Sequence, residues 1–163
     1  MVNAGVLLRA YIYVRLLGVH GMHRISEFAT LNANYLMAEL RKAGFEIAYP
    51  TRRASHEFIV TMKDIKDKTG VTAMNLAKRL LDKGYHAPTT YFPMLVPECL
   101  LIEPAETESK ETLDAFVNSM KEILKEIELQ PDMVKGAPHT LSVRKLDDVK
   151  AARELDLTWK PNS

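Results

Sequence analysis

The fold is decided by residues 72–84, TAMNLAKRLLDKG, which carry the signals of a short amphipathic helix from one end to the other. Thr72 is a preferred N-cap residue, and Gly84 stands where a helix often ends in a left-handed glycine. Between them, apolar residues recur at helical spacing and form one face. That face comprises Ala73, Leu76, Ala77, Leu80 and Leu81. We therefore predict a helix over residues 73–83 with its apolar face in a core.

Short apolar runs on both sides of this helix predict strands. Residues 45–49 (FEIAY) alternate and stop at a proline, and residues 56–62 (HEFIVTM) and 99–103 (CLLIE) have the length and composition of strands. Residues 66–70 are predicted to form a polar turn. Residues 88–97 contain three prolines, which predicts an extended or irregular segment because proline disrupts helices.

Two long helical patterns precede this region. One runs from residue 6 to residue 17 and stops at Gly18, and a second runs from residue 22 to residue 43 with Gly44 as its left-handed cap. We predict that the first of these helices is buried. The second has an apolar side made of Ile25, Phe28, Ala29, Asn32, Leu36 and Leu40.

A last long helix is predicted from about Ser109 to the residue before Pro131. Its stripe comprises Leu113, Phe116, Val117, Met120, Leu124 and Ile127. Beyond Pro131 the pattern is loose, and we predict one short helix capped by Asp147 or Asp148. The order of helices and strands predicts an α+β fold of two layers, with a small mixed or antiparallel sheet covered by helices.

Composition narrows the range of functions. The chain has 163 residues, a formal net charge of +1 and one cysteine, Cys99. One ordinary domain is expected, with no bulk attraction to nucleic acid or membranes, in a reducing compartment such as the cytoplasm. Residues 4–19 are apolar, but Arg9 and Arg15 interrupt them and they are shorter than the ~20 residues of a membrane span.

Three segments carry a resemblance to a known family: residues 55–60 (SHEFIV), 75–89 (NLAKRLLDKGYHAPT) and 102–111 (IEPAETESKE). In this order and spacing, they resemble the carboxy-terminal small domain of glycine dehydrogenase (decarboxylating), the P-protein of glycine cleavage. The ending RKLDDVKAAR at residues 144–153, with Trp159, resembles the pyridoxal-phosphate (PLP) subunit of the prokaryotic split form, subunit 2.

The resemblance implies an aspartate-aminotransferase-like fold, that of fold type I PLP enzymes, in which a small domain closes over the active site. Residues 1–135 would be this small domain, with residues 1–20 as the inter-domain helix, and residues 136–163 would be a carboxy-terminal tail. The implied partners are a PLP-binding large domain, the partner subunit 1 and lipoylated H-protein, which receives the aminomethyl group of decarboxylated glycine.

PLP chemistry needs a lysine for the imine and donors around the phosphate. In the family the lysine follows a histidine and precedes a glycine-rich stretch, and His139 has no lysine after it here. PLP is thus expected in the complete enzyme but not held covalently by this chain. We predict that the chain contributes no catalytic residue and is inactive alone.

Candidate residues for the edge of the active site are His86, Thr89 and Thr90, which stand in a proline-rich loop after a helix. The alternative for His86 is a role in capping that helix. His56 is a further candidate, although adjacent strand residues point to opposite faces and Glu57 could not share its site.

Structural roles are expected for the acidic residues of the family motifs. Glu103, Glu106 and Glu108 precede the last helix, where carboxylates favour the positive end of the helix dipole. The motif residues expected to be structural are Glu57, Glu103, Thr107 and Glu108. A metal site of His56, His86 and Glu103 has no short ligand spacing to support it, and we predict none.

Arg52 and Arg53 precede the second strand, where they could contact a substrate carboxylate or simply be solvated. A different class of function stays open: a free-standing interaction module that kept the fold, with the apolar face of the first helix binding a partner or a second copy of the chain. The two functions differ in whether adding the missing domain restores activity.

Overall fold

The computed structural model describes residues 3–159 and has an α+β architecture. The helices are α1 (Ala4–Lys42), α2 (Lys63–Thr69), α3 (Ala73–Asp82), α4 (Lys110–Leu129), α5 (Pro131–Lys135) and α6 (Asp148–Arg153). The strands are β1 (Glu46–Ile47), β2 (Phe58–Thr61), β3 (Thr89–Thr90) and β4 (Cys99–Ile102).

The four strands form one sheet in the order β1-β2-β4-β3, and every neighbouring pair is antiparallel. The central pair has four residues in each strand, with Val60 opposite Leu100. The outer strands are two residues long. The predicted α+β class with a small antiparallel sheet is therefore confirmed.

Helix α1 is two helical segments joined at Gly18, whose φ of 60° and ψ of −172° are not helical. This backbone conformation is accessible in practice only to glycine. The second segment ends as predicted at Gly44, which has a φ of 101°. The N–H of Phe45 then donates to Leu40 O, and that of Gly44 to Arg41 O. These two bonds form a Schellman motif that satisfies carbonyls at the end of the helix.

Helix α3 forms for the local reasons that its sequence predicted. The Thr72 hydroxyl accepts a hydrogen bond from Asn75 N, and the Asn75 side chain accepts one from Thr72 N, which completes a capping box. At the other end, Gly84 has a φ of 82°, and Tyr85 N donates to Leu80 O. Four of the five predicted apolar positions are buried, and Leu81 is half-buried.

Several predicted elements are corrected. The polar turn at residues 66–70 is mostly helix α2, which ends at left-handed Gly70, and α5 was not predicted. The strand predicted over 45–49 has only two residues. The strand predicted over 56–62 begins at Phe58 because its partner β4 stops at Ile102.

His56 consequently lies in a bend, and Glu57 directly precedes β2, so the two are not on opposite faces of a strand. The Asn34 side chain fixes the chain just ahead of them. Its amide N donates to Ala54 O at 2.8 Å, and its amide O accepts from Ala54 N at 3.1 Å.

A single core joins the sheet to the helices. It contains Leu36 and Leu40 of α1, Leu76 and Leu80 of α3, and Val60, Leu100, Met120 and Ile123. Phe116 and Leu124 of the stripe predicted for α4 lie only at the margin of this core, and Ile123 is the fully buried residue that the prediction missed. α4 starts near Ser109, as predicted: Ser109 is its N-cap and accepts a hydrogen bond from Thr112 N.

The prediction that the first helix is buried is wrong for this chain. The buried residues of α1 begin at Asn32, so the core within residues 3–159 does not cover the first segment. We call its exposed large residues the amino-terminal apolar surface: Val6, Leu7, Leu8, Tyr11, Ile12, Tyr13, Val14 and Leu16. None of the helices within residues 3–159 combines the length and the apolar character needed to cross a bilayer.

Candidate functional site

The main cleft lies between the loop after α3, the strand β4 and the start of α4, and it has a volume of about 420 Å³. Clefts that bind small ligands have volumes of roughly 300–1,000 Å³. The lining residues are Leu36, Tyr85, His86, Ala87, Pro88, Thr89, Leu101, Ile102, Glu103, Pro104, Ala105, Glu108, Thr112, Leu113 and Phe116.

Two aromatic rings form part of the wall of this cleft. The ring of Tyr85 meets that of Phe116 edge to face, with centroids 5.1 Å apart and planes at 84°. Tyr85 reaches this position because left-handed Gly84 turns the chain directly after α3. The predicted end of α3 at Gly84 therefore also places the Tyr85 ring in the wall of the cleft.

Another part of the wall is the loop between β4 and α4, and Asn32 holds it. The Asn32 side-chain nitrogen donates to Ala105 O at 2.9 Å and to Glu108 O at 3.0 Å. Asn32 is one of only two polar residues buried among residues 3–159. A lone asparagine in an apolar helical stripe was the signal in the sequence that could have identified this contact.

The structure brings together four of the predicted residues. His86, Thr89, Glu103 and Glu108 all line the main cleft. Thr90 does not line it and pairs with Leu100 in the sheet.

The other predicted residues lie elsewhere. His56 is exposed, with Nδ1 at 3.1 Å from Ser55 Oγ. Glu57 lines a second cleft of about 200 Å³ that Arg52 and Arg53 share, and the Arg52 guanidinium lies over the Tyr49 ring at 5.5 Å. Thr107 is exposed and lines neither cleft.

Both capping roles proposed from the sequence are corrected. Backbone hydrogen bonds at Gly84 and Tyr85 complete the end of α3, and His86 is exposed beyond it. At α4 the cap is Ser109, and the first-turn carboxylate is Glu111. The pKa of Glu111 is lowered by its own backbone N–H and by the Ser109 hydroxyl. Glu106 instead accepts a hydrogen bond from the Tyr13 hydroxyl at 3.1 Å.

No group of three or more histidine, cysteine, aspartate or glutamate side chains in the described part of the chain could hold a metal ion. Cys99 is buried, and burial raises the pKa of its thiol. Neither observation supplies a nucleophile or a metal ligand for chemistry in the main cleft.

A second polar arrangement, which the sequence analysis missed, fixes residues 137–140 to α3. We call it the Asp82 cluster, made of Asp82, Arg79, Glu126, His139 and Thr140. One Asp82 oxygen accepts hydrogen bonds from His139 N at 2.7 Å, Thr140 N at 2.8 Å and the Thr140 hydroxyl at 2.9 Å. The other accepts from Arg79 at 3.0 Å.

Arg79 extends the Asp82 cluster to α4. Its guanidinium makes two hydrogen bonds of 2.8 Å to the Glu126 carboxylate, which is a bidentate pair. Burial raises the pKa of Asp82, but its four hydrogen bonds outweigh burial and lower that pKa to about 2. Arg79 likewise lowers the pKa of Glu126.

The fold and the main cleft define a class: a small α+β domain with a cleft of ligand size beside its sheet and an apolar helical segment that its own core does not cover. The sequence model for "Glycine dehydrogenase, C-terminal domain" matches residues 25–141, and this chain belongs to that family.

Close relatives extend the match to nearly the whole chain. It is 85% identical over 160 residues to the probable glycine dehydrogenase (decarboxylating) subunit 2 of Nitrosospira multiformis, covering 98% of this chain and 32% of the relative. The protein of that name in Nitrosomonas europaea is 85% identical over 161 residues, covering 99% and 33%. The Coxiella burnetii protein is 63% identical over the same shares. The chain therefore spans about a third of the length of these relatives.

Proposed function

We propose that this chain serves as the closing small domain of a glycine dehydrogenase (decarboxylating), subunit 2 of the split P-protein. That enzyme decarboxylates glycine with PLP and passes the aminomethyl group to lipoylated H-protein. The observation that carries the proposal is 85% identity, across 98% of this chain, to proteins of that name. The single buried cysteine supports a reducing, cytoplasmic location.

The proposal extends to domain architecture. Residues 1–20 act as the inter-domain helix of an aspartate-aminotransferase-like fold, residues 1–135 as the small domain, and residues 136–163 as the tail. The amino-terminal apolar surface supports this division, because contiguous exposed apolar residues mark contact sites for other proteins or domains. The partners in this proposal are the PLP-binding large domain, subunit 1 and H-protein.

The residues of the main cleft do not fit PLP as a resident group of this chain alone. No lysine lines the cleft to form an imine, and no arginine or lysine lines it to neutralise a phosphate. The imine-forming lysine of the proposed enzyme therefore belongs to the large domain. After addition of PLP and dialysis, we expect the purified chain to lack the yellow absorbance of a protein-bound imine. Retained absorbance would contradict this assignment.

His86 and Thr89 are the residues that we propose for the edge of the active site. They share the main cleft, and they stand on a loop that Gly84 and the β3–β4 pairing hold in place. Thr90 and His56 were also candidates from the sequence, but they lie outside this cleft. In this proposal the chain contributes closure, exclusion of water and the shape of the cleft, and no catalytic residue.

The test is an exchange assay with separately produced components. This chain is mixed with the PLP-binding large domain, subunit 1 and lipoylated H-protein, and the exchange of carbon dioxide into glycine is followed with labelled bicarbonate. We expect exchange that depends on this chain, with the same mixture lacking the chain as control. The variant His86→Ala, compared with exposed His23→Ala in the complete mixture, then tests the proposed edge. The edge assignment fails if both variants support equal exchange.

A second candidate is an interaction module without a catalytic context, and the same amino-terminal apolar surface favours it. Such a module would associate with a partner or a second copy of the chain. In the exchange assay it would give no exchange although its components fold and associate. That result would contradict the enzyme proposal and favour the interaction module.

A further inference from the structure

The main cleft has an apolar wall that the family assignment leaves unexplained. Leu36, Leu101 and Leu113 contribute aliphatic surface to it, and Tyr85 and Phe116 contribute their edge-to-face ring pair. Such a wall favours an alkyl chain by the hydrophobic effect. Aromatic faces also attract cations through their quadrupoles.

The charges in this cleft all have one sign. Glu103 and Glu108 are its only acidic residues, and no lysine or arginine lines it. Their carboxylates make no hydrogen bond or ion pair with any other residue within residues 3–159. Glu103 is exposed and Glu108 is half-buried. Two other half-buried carboxylates have cationic partners: Glu98 lies 3.3 Å from Lys66 Nζ, and Glu126 pairs with Arg79.

The segment that carries these carboxylates is fixed before any ligand arrives. Asn32 holds it through the carbonyls of Ala105 and Glu108, and Ser109 starts α4 directly after it. A backbone that is already fixed loses little further conformational entropy when a ligand binds, so the ordering cost falls on the two side chains alone. Asn32 is thus a positioning residue for this part of the cleft.

We propose that the main cleft binds a primary ammonium group carried on an apolar chain, either a free alkylamine or a lysine side chain. The ammonium donates hydrogen bonds to Glu103 and Glu108, and the alkyl chain lies against the leucines and the aromatic pair. Charge complementarity decides the sign of the ligand, since a carboxylate or phosphate would meet two carboxylates and no lysine or arginine.

The experiment titrates the 163-residue chain with n-hexylamine at neutral pH and follows backbone amide shifts by NMR. Neutral n-hexanol and anionic hexanoate are the comparison ligands. We expect n-hexylamine to shift the amides of Thr89, Leu101 and Leu113, with binding about tenfold tighter than that of n-hexanol and no binding of hexanoate.

Variants then locate the charge. The double variant Glu103→Gln/Glu108→Gln should bind n-hexylamine no more tightly than n-hexanol, while Glu128→Gln, at an exposed position late in α4, should bind it as the unchanged chain does. Unshifted core amides in each variant confirm that it is folded. Equal binding of n-hexylamine and n-hexanol by the unchanged chain, or undiminished amine preference in the double variant, would overturn the proposal.

A third ligand separates the two sources of the ammonium. Nα-acetyl-lysine N-methylamide presents the same group on a peptide backbone, so binding with an affinity near that of n-hexylamine assigns a lysine side chain. Binding of n-hexylamine alone assigns a free amine. Neither PLP nor turnover enters these measurements, so their outcome is independent of the exchange assay for glycine dehydrogenase.

Discussion

The two segments of α1 have opposite surroundings, and the more apolar one, before Gly18, is the one left exposed. Before Gly18, large apolar residues such as Leu16 remain exposed, at 80% in this case. In the second segment, Ala33, Leu36 and Leu40 are buried in the core. A helical apolar pattern thus predicts a helix and its contact face, but it does not predict whether the contacting surface lies in the same chain.

The largest expected effect is the loss of stability when a buried leucine of the second segment is truncated. An exposed leucine of the first segment is the comparison. Leu40→Ala should lower the free energy of unfolding by about 3 kcal/mol, because Leu40 is fully buried and truncation leaves a cavity. Leu16→Ala should change it by less than about 0.5 kcal/mol, as is usual for an exposed position. Urea unfolding of both variants measures the two values. Equal losses would mean that the first segment packs on the domain after all.

The next effect tests whether the packed region depends on charge as well as on apolar contacts. Asp82→Asn should lower stability by about 2 kcal/mol, because the Asp82 side chain is 1% exposed and accepts four hydrogen bonds. Asp132→Asn is the matched control, since the Asp132 side chain is 96% exposed and lies 3.5 Å from Lys135. An equal loss of stability in Asp132→Asn would contradict the prediction that the Asp82 cluster stabilises the fold.

The same carboxylate predicts a pH dependence. The pKa of Asp82 is about 2 in the folded chain, whereas that of an unfolded aspartate is about 3.9. The stabilisation is therefore complete above about pH 4 and declines as the pH falls towards 2. Urea midpoints measured between pH 5 and pH 2 should fall less steeply for Asp82→Asn than for the unchanged chain. Parallel curves would contradict the assignment.

Features fixed by neighbouring residues could be read from the sequence. The capping box at Thr72, the left-handed glycines at 44 and 84 and the Ser109 cap all rest on contacts within a few positions. Strand lengths could not be read in this way, because β2 is limited by where β4 ends. The burial of the first helix could not be predicted either. Burial depends on whether another surface packs against the helix, and the helix's own sequence pattern does not show this.

In the candidate site too, short-range features could be predicted from the sequence and long-range contacts could not. His86 and Thr89 stand on one short loop, so their proximity followed from the sequence. The hydrogen bonds from Asn32 to Ala105 and Glu108 join residues more than 70 positions apart, and those from residues 139 and 140 to Asp82 span 57 and 58 positions. Contacts of such long range are properties of the folded chain and leave only weak local signals.

A smaller effect separates the two glycines that interrupt or end α1. Gly44→Ala should cost about 1 kcal/mol, because a φ of 101° is unfavourable for alanine and the Schellman motif there joins α1 to the core residue Phe45. Gly18→Ala also disfavours the backbone conformation at this position, but the exposed first segment can reorient to relieve it, since the buried residues of α1 begin only at Asn32. The urea midpoint should therefore move for Gly44→Ala and hardly move for Gly18→Ala.

The smallest expected effect concerns the hydrogen bond that links the first segment of α1 to the packed region. The Tyr13 hydroxyl donates to Glu106 at 3.1 Å, and both groups are accessible to water. Water replaces such a bond at little cost, so Tyr13→Phe should leave the urea midpoint unchanged. Its effect should be local, because this bond restrains the first segment against the loop before α4.

Limited trypsin cleavage after Arg15 should become about twofold faster in Tyr13→Phe. The control variant Tyr11→Phe, at a nearby exposed tyrosine, should be cleaved at the original rate. Equal rates in both variants would show that the first segment is held by something other than Tyr13, and the separation of α1 into a packed and an unpacked half would then need a different boundary.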